Sequence, residues 1–226
     1  MGGRYLPLRY ITLQEYTMII LVTGAAGSGK GQVSDTLVKL LGANEISFAQ
    51  PMKKWAIEYF DFPVWDCYNS REEAVRAGFT DAPEFKGVEF QYGKTSLSRH
   101  FLQRFGDFMK DKVKKTFWAD EAAMRIMLSG VFDHVISDWR FPYEEDVIRH
   151  KFPGAKVITL RVIRSDLPPI EAGASHCSET ALTDDMNYDK KIYNDGSLAD
   201  LEKKVTEWVE ELSAAMESPK TTSSPA

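Results

Sequence analysis

The sequence predicts an α/β fold, a five-stranded parallel sheet covered by helices on both faces, and three observations lead there. Short apolar strands alternate with amphipathic helices. A glycine-rich turn, "GAAGSGKG", joins the first strand to the first helix. The charged and turn-forming residues that stand out fall just past strand ends, where open α/β sheets bind ligands.

The elements follow in order. "MIILV" (18–22) is a buried strand. "GQVSDTLVKLL" places Val33, Leu37, Leu40 and Leu41 at helical spacing, hence on one face. "EISFA" (45–49) is a short second strand, and Pro51 sits where the helix "MKKWAIEYF" can begin. Residues 61–95 carry prolines, glycines and aromatics without periodicity and read as an irregular insertion. "SLSRHFLQRFGDFMKDKV" is a helix with Leu97, Phe101, Leu102, Phe105 and Phe108 on one side. "ADEAAMRIMLSG" is the next, ended by Gly130. "HVISD" (134–138) is the third strand, closing on an aspartate. "PYEEDVIRH" is a short helix, "KVITLRVI" (156–163) the fourth strand and "KKIYND" the fifth. The last helix begins near Ser197, with Asp200 at capping-box spacing, and buries Leu201, Val205, Trp208, Val209 and Leu212.

Composition bounds what such a chain can do. Its 226 residues suit one sizeable core. Apolar residues at 43% and charged residues at 27% are ordinary for a soluble globular protein. The net charge of -5 argues against a nucleic-acid polymer as partner, since phosphate backbones want excess positive charge. No apolar run approaches the length needed to cross a bilayer, and the N-terminus lacks a signal-peptide core, so no membrane role and a cytoplasmic location are expected. Cys67 and Cys177 fit two reduced thiols better than a disulfide framework. Residues 1–17 precede the first strand and read as an N-terminal arm, 18–217 as a single domain, and the Ser/Thr/Pro-rich 218–226 as a disordered tail.

The glycine turn carries the first chemistry. Gly24 to Lys30 meets the pattern G-x-x-x-x-G-K, and a strand ends at it while an amphipathic helix starts after it. Gly24, Gly27 and Gly29 let the backbone turn sharply and aim amide N–H groups inward. The following helix points its positive end at the same place. Gly24, Ala25, Ala26, Gly27, Ser28, Gly29, Lys30 and Gly31 are therefore the candidate ATP cradle, with Lys30 reaching the β- and γ-phosphates. One position departs from the pattern. Gly31 stands where a hydroxyl would hold Mg²⁺, and glycine cannot ligate. Asp138, at the end of the third strand, is the candidate for the ion, directly or through water. Its alternative is a helix cap.

"GAAGSGKG", "FAQPMKKWA", "SRHFLQRFGDFMKD", "VISDWRFPYEEDVI", "HCSETAL" and "IYNDGSLADL" occur in an order that resembles the deoxynucleoside monophosphate kinases of tailed bacteriophages, over residues 18 to about 212. The resemblance implies a three-layer P-loop kinase fold with a helical substrate-binding insertion (61–117) and a lid (165–178). It implies γ-phosphoryl transfer from ATP, with Mg²⁺, to a dNMP, and makes a homodimer an expectation. That family often carries a non-hydroxyl residue after the loop lysine, and an acid where Gln50 stands here.

Roles follow residue by residue. Arg140 is similar to a clamp on the acceptor's α-phosphate, a task that suits the planar guanidinium. Arg164, after the fourth strand, is assigned to the transferring phosphoryl, the alternative being an ordinary exposed arginine. Arg161 lies within the strand and is left out. Arg99 and Gln103 are four apart and share a helical face, which by resemblance lines the dNMP pocket. Lys53 is a further acceptor contact or a surface lysine. Glu179 anchors the lid or positions His176. Asn194, in the Asn194–Gly196 turn, packs by the adenine in related kinases. Trp55, Trp65, Tyr68 and Tyr92 surround the acceptor region without an assigned role. His176 and Cys177 are not a metal pair, because adjacent residues rarely face one ion. Two rivals remain: a kinase of the same fold acting on another small molecule, such as dephospho-coenzyme A or a sugar, and a P-loop module without catalysis.

Overall fold

A computed structural model describes residues 17–79, 91–167 and 176–217. The arm (1–17, save Thr17), residues 80–90 of the insertion, most of the expected lid (168–175) and the tail (218–226) lie outside the described residues.

Five strands, β1 (Met18–Gly24), β2 (Asn44–Ile46), β3 (His134–Ile136), β4 (Lys156–Ile163) and β5 (Lys190–Tyr193), form one sheet in the order β2-β3-β1-β4-β5. Every neighbouring pair is parallel. The register sets Ile20 opposite Val135 on one side and Ile158 on the other. β1 sits centrally because all seven of its residues are buried.

The pleat divides β1 between two cores. Met18, Ile20 and Val22 face Val33 and Leu37 of α1 (Lys30–Leu41) and Leu201, Val205, Trp208 and Val209 of α9 (Leu198–Glu217). Ile19 and Leu21 face Trp118, Ala122 and Ile126 of α6 (Phe117–Leu128) and Ile148 of α7 (Pro142–Lys151). The result is three layers: helices, sheet, helices. Each fully enclosed Ile or Leu of β1 contributes about 1.5–3 kcal/mol. A charge at Ile20 would break the centre of the molecule. α9 starts where its capping pair predicts: Ser197 N–H donates to Asp200 Oδ2 at 2.9 Å and Asp200 N–H to Ser197 Oγ at 3.2 Å.

A smaller helical group leans on one end of the sheet. It comprises α2 (Gln50–Phe60), α3 (Val64–Cys67), α4 (Arg71–Arg76) and α5 (Ser96–Lys112). Ala56, Cys67, Tyr68 and Ala74 form its core, with Phe101 and Leu102 packed against them. The stretch expected to be irregular thus holds two short helices, α4 being started by Ser70, whose Oγ accepts from Glu73 N–H at 3.1 Å.

Three side-chain expectations need correction. Leu40 is 45% exposed, Leu97 69% and Phe108 55%. On α5 the partly buried apolar residues are Phe101, Leu102, Phe105 and Met109. The stripe is therefore centred between Phe105 and Met109, and Leu97 and Phe108 sit on its outer margin. β2 also ends earlier than expected, at Ile46, because Ser47 to Ala49 turn to receive Asp138.

Candidate functional site

The carboxyl ends of β1, β3, β4 and β5 converge, with the sheet order reversing direction on either side of β1. That is the switch point where such sheets bind ligands.

The cradle is built from backbone. Gly27 (φ 80°) and Gly29 (φ 92°) adopt left-handed conformations that only glycine takes without strain. A Cβ on Gly24 would lie 2.5 Å from Ser28 Oγ and 2.7 Å from the Val162 carbonyl. A Cβ on Gly29 would lie 2.5 Å from Asn194 Nδ2. Ala25 is half-buried, Ala26 is exposed, and Ser28 is buried beneath the turn. Asn194, at the end of β5, donates Nδ2–H to the Ser28 carbonyl at 2.9 Å. It acts as a brace under the cradle. Asp195 accepts from Ser165 N–H at 3.1 Å, tying the loops after β4 and β5 together.

Lys30 opens α1, and its Nζ donates to the Ala25 carbonyl at 3.1 Å. Burial pushes its pKa down to about 8; Arg140 pushes the same way, and Glu179 and Asp138 oppose it. Four of the residues singled out from sequence are therefore close enough to act on one another's charge. Gly31 is exposed, and a Cβ there would meet open space.

Arg140 lies between β3 and α7. Its backbone N–H donates to Glu144 Oε2 at 2.8 Å, and Phe141 N–H donates to the same oxygen at 3.0 Å. Burial lifts the Glu144 carboxyl to about 8 against those two donors. Glu144 thus fixes the backbone that carries the guanidinium. Arg140 Nη1 pairs with Glu179 Oε1 at 2.8 Å, from α8 (Cys177–Thr180).

Asp138 is densely used. Oδ1 accepts from Phe48 N–H at 2.7 Å; Oδ2 accepts from Ser47 Oγ–H at 2.7 Å and Ala49 N–H at 3.0 Å. It caps the turn entering α2. A carboxylate offers about four lone-pair sites, so three donors leave one on Oδ1. That donor set fits Mg²⁺ held through water better than by direct ligation.

Lys53 is not a surface residue. It is 6% exposed, paired with Glu73 and 4.5 Å above the Tyr68 ring. Arg99 and Gln103 do share a face of α5, and with Lys94, Ser96 and His100 they line an open cavity of about 390 Å³. Trp55 packs among Phe105, Phe117 and Trp118, and Tyr68 is fully buried; both are core. Gln50 Oε1 accepts from Arg125 Nη1 at 2.6 Å, a partner its place in the sequence does not suggest.

Arg164 stands apart. It is exposed and forks onto Asp166, with Nε and Nη2 donating at 2.7 and 3.0 Å.

Three features escaped sequence reading. Lys94 lines the cavity beside α5, yet no motif contains it. Arg161, although within β4, is 7% exposed, pairs with Asp184 at 2.7 Å and contributes to the field at Lys30. Strand alternation was the available signal: residues 158, 160 and 162 serve one core, which sends 161 to the other face. Third, Asp107 joins His176 and Cys177, with one ligand atom from each lying within 4.8 Å of the others. His176 Nδ1 accepts from Ser178 N–H at 3.3 Å, which leaves the proton on Nε2, donated to Asp107 Oδ2 at 2.7 Å. Both ring nitrogens are thereby engaged, so the imidazole ties α8 to α5 and has no lone pair left for an ion.

A family model described as deoxynucleotide monophosphate kinase matches residues 67–205. A protein of Acanthamoeba polyphaga mimivirus, whose assigned description is deoxynucleotide monophosphate kinase, is 28% identical over 205 residues, covering 87% of this chain and 98% of its own length. Among solved structures, an APS kinase of Mycobacterium tuberculosis is similar with a TM-score of 0.38 and 12% identity, covering 86% of this chain and 98% of that one. A gluconokinase from Sinorhizobium meliloti aligns with a TM-score of 0.39 and 14% identity, covering 89% and 97%.

Proposed function

The chain belongs to the deoxynucleotide monophosphate kinase family, and from that premise we propose that it transfers the γ-phosphoryl group of ATP to a deoxynucleoside monophosphate, releasing dNDP and ADP. In the transfer, the bond between the γ-phosphorus and the β,γ-bridging oxygen breaks and its electron pair stays on ADP. A new bond forms to an oxygen of the acceptor's α-phosphate.

One observation carries this reading: Lys30 of the cradle shares its electrostatic surroundings with Arg140, Glu179 and Asp138 at one end of the sheet. A cation built into a phosphate-gripping turn and a guanidinium from a different strand end lie near enough for one to act on the other's charge. Phosphoryl transfer asks for that, because its catalysis is mostly positioning and charge neutralisation. The loop amides and Lys30 hold the donor's β- and γ-phosphates. Arg140, its backbone fixed by Glu144 and its side chain oriented by Glu179, holds the acceptor's phosphate. Arg99 and Gln103 offer polar groups to the acceptor's base and phosphate in the cavity on α5. Arg164 reaches the transferring phosphoryl by exchanging Asp166 for its oxygens. Asp138 would hold Mg²⁺ through water, and the ion would supply positive charge to the transferring phosphates. Among the described residues no helix is long and apolar enough to cross a membrane, which is compatible with work on soluble nucleotides in the cytoplasm. A homodimer belongs to the same reading.

The test is ADP release with ATP across all dNMPs, the NMPs, dephospho-coenzyme A and gluconate. Turnover on one or more dNMPs is expected, and Lys30→Ala or Arg140→Ala lowers kcat by about two orders of magnitude or more, as loss of an oriented charge stabiliser does. Activity on dephospho-coenzyme A or gluconate, with none on any dNMP, refutes the reading. So does an absence of any chemical step for these two variants to impair.

A further inference from the structure

The site's cations can be matched one by one with anions. Arg140 has Glu179, Arg161 has Asp184, and Lys53 has Glu73. Glu73 is largely taken: one oxygen accepts from Lys53 and the other from both Asn69 N–H (2.9 Å) and Asn69 Nδ2–H (3.0 Å), which leaves one lone-pair site. Two lysines remain. Lys30 rests on a carbonyl of its own loop. Among the described residues no carboxylate is paired with Lys94, which sits immediately before the Thr95 cap of α5. Its ammonium lies within the fields of Lys53, Glu73, Asp138 and Arg140, while its side chain walls the cavity that also holds Arg99 and Gln103. Lys94 thus lines the cavity and is near enough to Arg140 to feel its charge.

We propose, on the kinase reading above, that Lys94 binds the phosphate monoester of the acceptor together with Arg140, so that each of the two substrates meets one lysine that has no carboxylate partner among the described residues. An ammonium is a compact charge with three donors, and a phosphate dianion is the ligand class that uses all three. A half-buried ammonium without a counter-ion is costly to the folded chain; an arriving phosphate removes that cost at Lys94 as it does at Lys30. Burial, with Lys53 beside it, lowers Lys94 to about 8 against the pull of Glu73 and Asp138, as expected of a cation whose counter-ion is a substrate. The division of labour assigns Arg140 to fix the phosphate's orientation through its fork and Lys94 to supply charge from the base side.

Steady-state kinetics on the full chain, with its best dNMP, compare Lys94→Met and Lys94→Arg with the wild type. Losing a charge-assisted contact raises the acceptor KM at least about tenfold in Lys94→Met, while the ATP KM stays within about twofold. Lys94→Arg keeps most of the acceptor affinity. An acceptor KM in Lys94→Met within twofold of wild type overturns the assignment. Amine acetylation of the wild type, read by peptide mass spectrometry, needs no variant. Lys94 should be protected by the dNMP and not by ATP alone, and Lys30 the reverse; equal labelling of Lys94 with and without dNMP also overturns it. If the wild type phosphorylates no dNMP, the kinase reading fails by itself. Lys94 is then judged by inorganic phosphate, whose failure to protect it rejects the anion site.

Discussion

The two halves of the site are made of different material. The donor half is backbone: a turn of consecutive residues, Gly24 to Lys30, braced from below by one side chain, Asn194. The proposed acceptor half is side chains: Lys53, Lys94, Arg99, Gln103, Arg140 and Glu179, delivered by α2, the turn into α5, α5 itself, the β3–α7 junction and α8. Backbone geometry cannot be tuned by degrees, because a turn either fits a phosphate or does not. Side chains on separate helices can be exchanged singly. On the proposed reading, the donor half would suit one invariant triphosphate and the acceptor half a choice among monophosphates.

The sharpest way to break the contrast is Gly29→Ala. It imposes a Cβ at φ 92°, 2.5 Å from Asn194 Nδ2 and 3.2 Å from Leu201 Cδ2. Left-handed backbone alone costs a non-glycine residue about 1–3 kcal/mol, and the brace to Ser28 must shift as well. The expected outcome is an ATP KM raised about thirtyfold, at roughly 1.4 kcal/mol per decade, and a Tm lower by several degrees. The acceptor KM should barely move. Equal damage to both constants would show that the halves are not separable.

Such separability also explains what was legible in the sequence. A contiguous motif can be read directly, and so can a strand buried on both faces; "KVITLRVI" matches β4 residue for residue. Asp138 could not be read in full. Its three donors, Ser47, Phe48 and Ala49, are about ninety residues away, and only the pairing of β2 with β3 brings them together. Lys94 is harder still. It occupies no periodic position, and its significance arises from which cations around it are already matched. Arg161 was set aside as strand interior, although alternation along β4 sends it to the face that holds Asp184. Local chemistry is written in local sequence; an unmatched charge is a property of the assembled neighbourhood.

A pH series sharpens the comparison, because burial brings one lysine in each half to about 8. The free-enzyme values govern kcat/KM. Below pH 8 both lysines are charged and attract phosphate. Above it the attraction is lost, about tenfold for each pH unit if the neutral form does not bind. Lys30→Arg should remove the alkaline fall for ATP and leave that for the dNMP, and Lys94→Arg the converse. Glu144 titrates in the same range and holds the Arg140 backbone, so any bend it adds falls on the dNMP profile alone. Stability runs the other way. Between about 8 and 10.5 the folded lysines hold fewer protons than the unfolded ones, so stability rises with pH across that window. A kinetic profile flat from pH 7 to 9.5 for both substrates would mean that neither lysine carries its assigned charge.

The smallest effect concerns the hydroxyl the donor half lacks. A Cβ on Gly31 meets nothing within 4 Å, and its φ does not fall in the left-handed range, so Gly31→Ser can be made without overlap. Serine is also a better helix former than glycine in the first turn of α1, worth a few tenths of a kcal/mol. If Asp138 holds Mg²⁺ only through water, a hydroxyl one residue after Lys30 adds a second anchor. The Mg²⁺ concentration giving half-maximal ADP release should then fall about two- to fivefold, a gain below 1 kcal/mol by the usual decade rule, with the acceptor KM unchanged. If the Mg²⁺ requirement does not change while the protein is stabilised, the ion does not sit where the loop's hydroxyl would reach it. The donor half must then draw its metal from phosphates and water alone, leaving Asp138 as the cap of the β2–α2 turn.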